Sequence, residues 1–362
     1  MLSSRSSFIF ISVILYSLFS ISLFAQQNLP FIRVSPQARV VQNISFATVE
    51  IDYSRPGVKG REVYGKLVPY GLAPNAFGNG KPMPWRVGAN ENTIITLSHD
   101  AKINGNPLPA GSYGLHMIVQ EKEWIIIFSK DYQAWGSYFY EETNDALRIK
   151  VKPEQTTSRE WLMFGFENLS DNSVDAFMHW GELKVSFKIE VDNHKIVLDT
   201  YRAQLTTLPG FNHAAWAAAA QYCLNNSVNT DEAMVWIEKA LGMNGGQNFN
   251  NNAIKAGLLT LQGKEEEGDQ LIAKSMETAT ENELNAYGYQ LMQQNRLDDA
   301  LKIFKLNIDR HPESWNPYDS YGEAWTRKGD KEKAKEYYEK AYEMAPAGQK
   351  GRIEGILKGL EE

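Results

Sequence analysis

Apolar and polar residues alternate in short runs through the first half of the chain. From Gln37 to Asp192 apolar side chains recur at every second position, and turn-forming residues separate the runs. The clearest run is ELKVSFKIEVD, in which five apolar residues from Leu183 to Val191 alternate with polar ones. A period of two is typical of a strand with one buried and one solvated face. Seven to nine such runs without a convincing helix predict an antiparallel sandwich or barrel, and we favour the sandwich.

The second half has the apolar period of helices and contains an internal repeat. The segment LNAYGYQLMQQNRLDDALKIFKLNIDRHPES aligns with YDSYGEAWTRKGDKEKAKEYYEKAYEMAPAG. This pattern resembles the tetratricopeptide repeat, in which small residues lie where two helices touch and Pro follows the second helix. The alignment pairs residues that are 34 positions apart: Gly288 with Gly322, Ala300 with Ala334, and Pro312 with Pro346.

Two degenerate units precede this repeat, WAAAAQYCLNNSVNTDEAMVWIEKAL and KAGLLTLQGKEEEGDQLIAKSM. One repeat cannot bury its own apolar face, so about three or more stacked units are expected. We therefore predict two domains, an all-β antiparallel sandwich at residues 35–192 and an all-α solenoid at residues 212–362. The solenoid comprises about four tetratricopeptide-like repeats and a capping helix, KGRIEGILKGLEE. Residues 193–211 are expected to link the two domains.

The first 25 residues have the pattern of a secretory signal. Arg5 supplies a positive charge, an apolar run interrupted by serines follows, and Ala25 offers a small residue for cleavage. The sequence thus predicts Sec-type export to the periplasm or the medium. The alternative is a retained membrane anchor, because residues 8–25 approach the length that spans a bilayer. Contact with a membrane is expected only through an uncleaved signal.

Composition narrows the classes of partner and the sources of stability. The net charge is -7 and the charged residues are dispersed, which excludes the clustered Lys and Arg that nucleic-acid binding needs. Cys223 is the single cysteine in the 362 residues, so no intramolecular disulfide can form. It lies in the apolar helical run WAAAAQYCL, where we expect a small buried residue rather than a reactive thiol.

Two strand-flanking loops concentrate charged and conformationally special residues. The first, YSRPGVKGR, begins at Tyr53, and the second, WRVGANENT, begins at Trp85. If the loops meet, forked guanidinium groups could grip a carboxylate, sulfate or phosphate. A sugar acid or a peptide terminus would fit equally well. The candidate ligand-binding residues are Tyr53, Arg55, Lys59, Arg61, Trp85, Arg86, Asn90 and Glu91.

A purely structural role for the same loops is the competing interpretation. Arg55 and Arg86 would then pair with Asp52, Glu62 and Glu91 and would donate to loop carbonyls. Such half-buried networks hold irregular loops in place, and removing one partner can cost roughly 3 to 5 kcal/mol. The two roles can coexist.

Residues 35–180 resemble the bacterial secreted family catalogued as domain of unknown function 2911. The resemblance rests on SPQARVVQNISFATVEIDYSRPGVKGREVYGKLVPYG, WRVGANENTIITLSHDAKINGNPLPAGSYGLHMI and WGSYFYEETNDALRIKVKP. It implies an exported β domain, in some members joined to tetratricopeptide repeats, and it implies no activity. The family usually runs almost directly from PYG to WR, whereas here LAPNAFGNGKPMP, residues 72–84, lies between them. That insertion could cover or reshape what the two loops build.

Catalytic and metal motifs are weakly represented. The sequence contains no HExxH, no G-x-S-x-G elbow, no P-loop and no GxGxxG, and we predict no cofactor and no metal. His116, His179 and Glu167 could assemble a metal site in three dimensions, although each is more often an ordinary strand residue. Asp145 and Arg148 are expected to form a local ion pair. At most Trp135 and Tyr138 are expected at the surface among seven aromatic residues that could form a platform for sugars: Trp124, Trp135, Tyr138, Phe139, Tyr140, Trp161 and Trp180.

Three functions follow from these observations, in order of preference. The first is an exported, non-enzymatic binding or scaffold protein whose repeat domain holds a peptide or a partner protein. The second is an enzyme or small-ligand binder for an anionic ligand, with sugar derivatives among the candidates, at the arginine-rich loops. The third is a purely structural envelope protein.

Overall fold

Ten strands and then ten helices follow one another along residues 32–361, which the computed structural model describes. By its contacts the chain divides into two units, Met1–Asp192 and Asn193–Glu362. The predicted fold class, an antiparallel sandwich followed by a helical repeat array, is confirmed. The predicted signal at residues 1–25 lies outside the described residues.

The β unit consists of two sheets in which every strand pairing is antiparallel. The larger sheet has the order β1-β2-β3-β6-β7-β8, and the smaller has the order β5-β4-β10-β9. The strands are β1 (Gln37–Ile44), β2 (Ala47–Ser54), β3 (Thr93–Leu97), β4 (Ala101–Ile103), β5 (Asn106–Leu108), β6 (Gly111–Ile118), β7 (Trp124–Ser129), β8 (Asp145–Val151), β9 (Glu154–Glu167) and β10 (Ser173–Val191).

The longest strand, β10, joins two runs that the sequence pattern predicts as separate strands, SVDAFMHWG and ELKVSFKIEVD. Gly181, the last residue of the first run, has φ +57°, and the register with β9 shifts on either side of it. A residue in the left-handed region produces a bulge, which bends the strand without ending its pairing. The prediction of two strands is therefore wrong here, because Gly181 forms a bulge rather than a turn.

Aromatic side chains fill the space between the two sheets. The Phe128 ring on β7 meets Phe187 on β10 edge to face, with centroids 5.7 Å apart, and Tyr53 on β2 meets Phe164 on β9 at 5.0 Å. Burying each such side chain stabilises the fold by roughly 1.5 to 3 kcal/mol. A unit without disulfides depends on this core.

Helix pairs form the second unit. The bounds are α1 (Asn193–Leu205), α2 (His213–Asn226), α3 (Thr230–Gly242), α4 (Phe249–Leu261), α5 (Glu265–Met276), α6 (Glu281–Gln293), α7 (Leu297–Arg310), α8 (Trp315–Lys328), α9 (Lys331–Met344) and α10 (Ala347–Glu361). Consecutive helices from α2 to α9 pack as four pairs, and α10 packs on α9 through a small core that contains Tyr338 and Ile353.

Small residues lie where the helices of a pair touch. A Cβ atom added to Gly288 on α6 would lie 2.3 Å from the Phe304 ring on α7, and one added to Gly322 on α8 would lie 3.0 Å from the Tyr338 ring on α9. Ala300 is fully buried in the first of these pairs. The repeated residues predicted at helix contacts are confirmed in that role.

Residues 193–211, the expected linker, consist of α1 and a short 3-10 helix, Leu208–Phe211, and they belong by contacts to the second unit. Cys223 on α2 is buried, as the sequence predicts, and burial raises its thiol pKa to about 11. A thiol with such a pKa contains little reactive thiolate at neutral pH. None of the helices within residues 32–361 is both long and apolar enough to cross a membrane.

Candidate functional site

The two charged loops of the β unit meet at an open cleft. Its volume is about 520 Å³, which is within the range of small-molecule sites. We call it the cationic cleft and define it by six of the side chains that line it: Lys59, Arg61, Trp85, Arg86, Trp135 and Tyr138.

Backbone pairing holds both loops in position. The first loop runs beside β9, where the Val58 amide donates to the Glu160 carbonyl at 2.8 Å. In the second loop Trp85 exchanges two backbone hydrogen bonds with Met117 of β6, at 2.9 and 2.8 Å. Both loops are thus anchored to strands, and their side chains are presented from a fixed backbone.

Tyr53 and Arg55 do not line the cationic cleft. Tyr53 is 5% exposed and packs on Phe164 within the core. The Arg55 side chain donates from Nε to the Leu162 carbonyl at 2.9 Å, which ties the end of β2 to β9. These two candidates hold the scaffold together.

Two carboxylates near the loops pair with arginines other than Arg55 and Arg86. Glu91 accepts two hydrogen bonds from Arg33, at 2.8 and 2.5 Å, and this pairing holds the pKa of its carboxyl below the usual range. Asp52 pairs with Arg39 at 2.6 Å. The predicted pairing of these carboxylates with Arg55 and Arg86 is therefore wrong, because Arg33 and Arg39 form the ion pairs instead.

Carbonyl groups, rather than carboxylates, orient the arginines of the cleft. Arg61 donates to the Gly57 carbonyl at 2.6 Å and to the Val58 carbonyl at 3.0 Å. Arg86 donates from one Nη to the Asn90 carbonyl at 2.6 Å. Because backbone carbonyls carry no net charge, the two guanidinium charges remain uncompensated by these bonds.

Tyr138 supports the Arg86 guanidinium from below. The guanidinium carbon lies 4.9 Å from the centroid of the Tyr138 ring, a distance at which cation–π attraction operates. Gly136 also lies against the guanidinium, because an added Cβ would be 2.3 Å from the same carbon. Lys59 has a looser contact of the same kind, with its Nζ 5.8 Å from the Trp161 centroid.

Stacked indoles form one wall of the cleft. Trp85 lies against Trp180 with centroids 5.8 Å apart and an interplanar angle of 23°. Trp180 lies on β10 and is almost fully buried, although it also lines the cleft. The alternating pattern of the strand predicts a core residue at this position and does not predict a contact with the cleft.

Trp135 is 59% exposed and Tyr138 is half-buried, but Phe139 and Trp161 are exposed as well, at 65% and 37%. The prediction that at most Trp135 and Tyr138 reach the surface is therefore wrong.

The insertion at residues 72–84 packs on the segment that carries Tyr138. Its two arms are joined by backbone hydrogen bonds between Ala73 and Met83 at 2.8 and 2.9 Å. The Asn75 amide donates to the Tyr138 carbonyl at 2.8 Å, and the Phe77 ring meets the Tyr138 ring edge to face. The insertion therefore fixes the aromatic support of Arg86.

The two histidines considered for a metal site contact different residues. His116 is buried with Nδ1 2.8 Å from the Ser137 hydroxyl, and burial together with Arg86 lowers its pKa to about 4. His179 instead contacts Arg159 and the Thr157 carbonyl. In the part of the chain that the structure describes, no three His, Cys, Asp or Glu residues are grouped so as to hold a metal ion.

Asp145 and Arg148 form the predicted ion pair. Arg148 donates from Nε to Asp145 at 2.6 Å, and the Tyr140 hydroxyl donates to the same carboxylate oxygen at 2.7 Å. Neither residue belongs to the lining of the cationic cleft. The pair fixes the start of β8.

Residues 35–189 match the model of the family described as "Protein of unknown function (DUF2911)". This span covers all ten strands of the β unit except for the last two residues of β10. The resemblance predicted from the loop sequences is thereby confirmed. No curated protein matches the chain.

Solved tetratricopeptide-repeat structures resemble the helical part. The pilF protein of Pseudomonas aeruginosa is 20% identical, covering 41% of this chain and 67% of its own, with a TM-score of 0.27. YrrB, described as a TPR protein with an unusual peptide-binding site, is 22% identical and covers 42% and 78%, with a TM-score of 0.25. Yeast Tom70 is 14% identical and covers 45% and 42%, with a TM-score of 0.26.

Proposed function

We propose that this protein is an exported, non-enzymatic binding protein. Its β unit resembles this family, and a helical repeat unit follows it. The repeat unit binds a peptide or a segment of a partner protein. One observation carries the proposal: the first helices of the four pairs, α2, α4, α6 and α8, contact one another in sequence order. Stacked helices of this kind present one continuous surface to an elongated partner.

Side chains at equivalent positions form this surface. Asn285 and Tyr289 on α6 are one turn apart, so they share one face of the helix. Asp319 and Glu323 occupy the same positions on α8, 34 residues later. Asp319 is buried and accepts from Arg352 of α10. Glu323, by contrast, is half-buried and accepts from the Tyr289 hydroxyl at 2.9 Å. Polar groups that already connect neighbouring helices suit the recognition of a polar backbone.

Charge reversal on this surface should weaken the binding of selected peptides. Peptides selected from a displayed library on the full chain should bind a Glu323→Lys variant at least tenfold more weakly, measured by fluorescence polarisation. The matched control is Glu339→Lys, which places the same charge on an exposed position of the second helix α9. Equal loss in both variants, equal retention in both, or no selected peptide at all would contradict the proposal.

Export is expected to remove the first 25 residues. When the complete chain is produced in a Gram-negative host, the periplasmic fraction should contain a protein that begins at Gln26, identified by mass spectrometry of its N-terminal peptide. Leu15→Arg should keep the chain in the cytoplasm, because a charge interrupts the apolar run. Recovery of the intact N-terminus in the membrane fraction would instead indicate a retained anchor.

A further inference from the structure

The cationic cleft contains three positive side chains that form no ion pair with another described residue, although the Glu160 carboxylate lies close enough to accept a hydrogen bond from the Lys59 backbone amide at 2.9 Å. Lys59, Arg61 and Arg86 line it, and no Asp or Glu is among the described residues that form its walls. No ion pair within the described residues involves any of these three side chains. Like charges facing a common space repel one another, and an anion placed between them removes that repulsion.

The Arg86 guanidinium is prepared for a planar anion. Stacking on Tyr138 and the single bond to the Asn90 carbonyl fix its plane, and its remaining N–H groups are not used by another side chain of the described residues. A carboxylate is planar and can accept two parallel hydrogen bonds from one guanidinium. The orientation is set before the ligand arrives, which lowers the entropic cost of binding.

The cleft is much larger than a carboxylate group. A volume of about 520 Å³ leaves room for a ring beside the anion. Trp85 and the exposed Trp135 supply flat apolar surface for the face of such a ring. Ser35 and Asn90 line the same space and supply groups that hydrogen-bond to hydroxyls.

We propose that the cationic cleft binds a sugar that carries a carboxylate, of the uronic-acid class. Arg86 and Lys59 hold the carboxylate, and the tryptophans contact the sugar ring. This site is distinct from the peptide-binding surface proposed for the repeat unit, so the two proposals stand or fall separately.

Three probes separate the parts of this ligand. Calorimetric titration of the full chain with glucuronate tests ring and carboxylate together, glucose tests the ring alone, and inorganic phosphate tests an anion alone. We expect glucuronate to bind at least tenfold more tightly than either of the others. Failure of glucuronate to bind would overturn the proposal, and so would phosphate binding as tight as that of glucuronate.

Matched variants locate the binding. Lys59→Gln and Arg86→Gln should each weaken glucuronate binding by roughly 10- to 100-fold, the range for a lost hydrogen bond to a charged group. Lys66→Gln removes the same charge from an exposed residue that does not line the cleft, and it should change binding by less than about twofold.

If Arg86→Gln impairs folding, Lys59→Gln still tests the site. Lys59 is exposed, so its replacement removes no buried contact. Trp135→Ala should weaken glucuronate binding and leave that of phosphate unchanged. Equal affinities in the Lys59 and Lys66 variants would overturn the assignment of the site.

Discussion

Lowering the pH from 7.5 to 4 should reduce the free energy of unfolding by about 3 kcal/mol through His116 alone. Its pKa of about 4 in the folded chain is well below the ordinary value of 6.5, first because it is buried and second because Arg86 is near. The folded state therefore favours the neutral ring. Each unit of pKa difference corresponds to about 1.4 kcal/mol.

The direction of this effect follows from the lowered pKa. The stabilisation is complete above pH 6.5, where the ring is neutral in both states, and it is lost progressively as the pH falls from 6.5 towards 4. Between pH 6.5 and pH 4 the His116 ring binds a proton in the unfolded chain but remains largely neutral in the folded chain. Protonation would also place a second cation beside Arg86.

Replacing His116 by Gln should remove this part of the pH dependence. Glutamine is not titratable, so the denaturation curves of the variant at pH 7.5 and pH 4 should differ by about 3 kcal/mol less than those of the wild type. Titration of the His116 ring followed by NMR should give a midpoint near pH 4. Parallel loss of stability in both proteins would contradict the expectation.

Gly288→Ala should destabilise the repeat unit, although alanine is a better helix former than glycine. The new methyl group would lie 2.3 Å from a ring carbon of Phe304, which is fully buried and cannot swing out to solvent. Overpacking of this kind usually costs about 1 to 3 kcal/mol. The gain of up to about 1 kcal/mol in helix propensity offsets part of that cost.

Gly355→Ala on α10 is the matched control. It makes the same chemical change at an exposed helical position with open space around the new methyl group, so it should stabilise by up to about 1 kcal/mol. Adding Phe304→Leu to Gly288→Ala should restore part of the lost stability, measured by denaturant unfolding. Stabilisation by Gly288→Ala would show that the two helices separate without cost.

The repeat unit could be predicted from the sequence because its determinants are local and periodic. Small residues at Gly288 and Ala300 recur 34 positions later, and each contact joins helices that follow one another along the chain. For β10, the alternation of apolar and polar residues could be predicted, but not that the two runs form one uninterrupted strand. A single glycine can produce a turn or a bulge, and the partner strand β9 decides between them.

The cationic cleft could be predicted only in part, because distant segments complete it. Both charged loops are recognisable, and they do meet. The partner of Glu91, however, is Arg33, which lies 58 positions earlier in the chain. Trp180 has the pattern of an ordinary core residue, and the support that Tyr138 gives to Arg86 depends on how an insertion packs. Such pairings follow from three-dimensional proximity, which spacing in the sequence does not encode.

The insertion at residues 72–84 also offers a way to change the cationic cleft without changing the sheets. Its two arms leave and rejoin the β unit side by side, at Ala73 and Met83, and it lies outside the ten strands of the two sheets. Exchanging this one segment would change the wall beneath Arg86 while leaving the pairing of both sheets intact. If the cleft binds the anion proposed for it, its selectivity could therefore be altered, in the laboratory or during divergence, without rebuilding the fold.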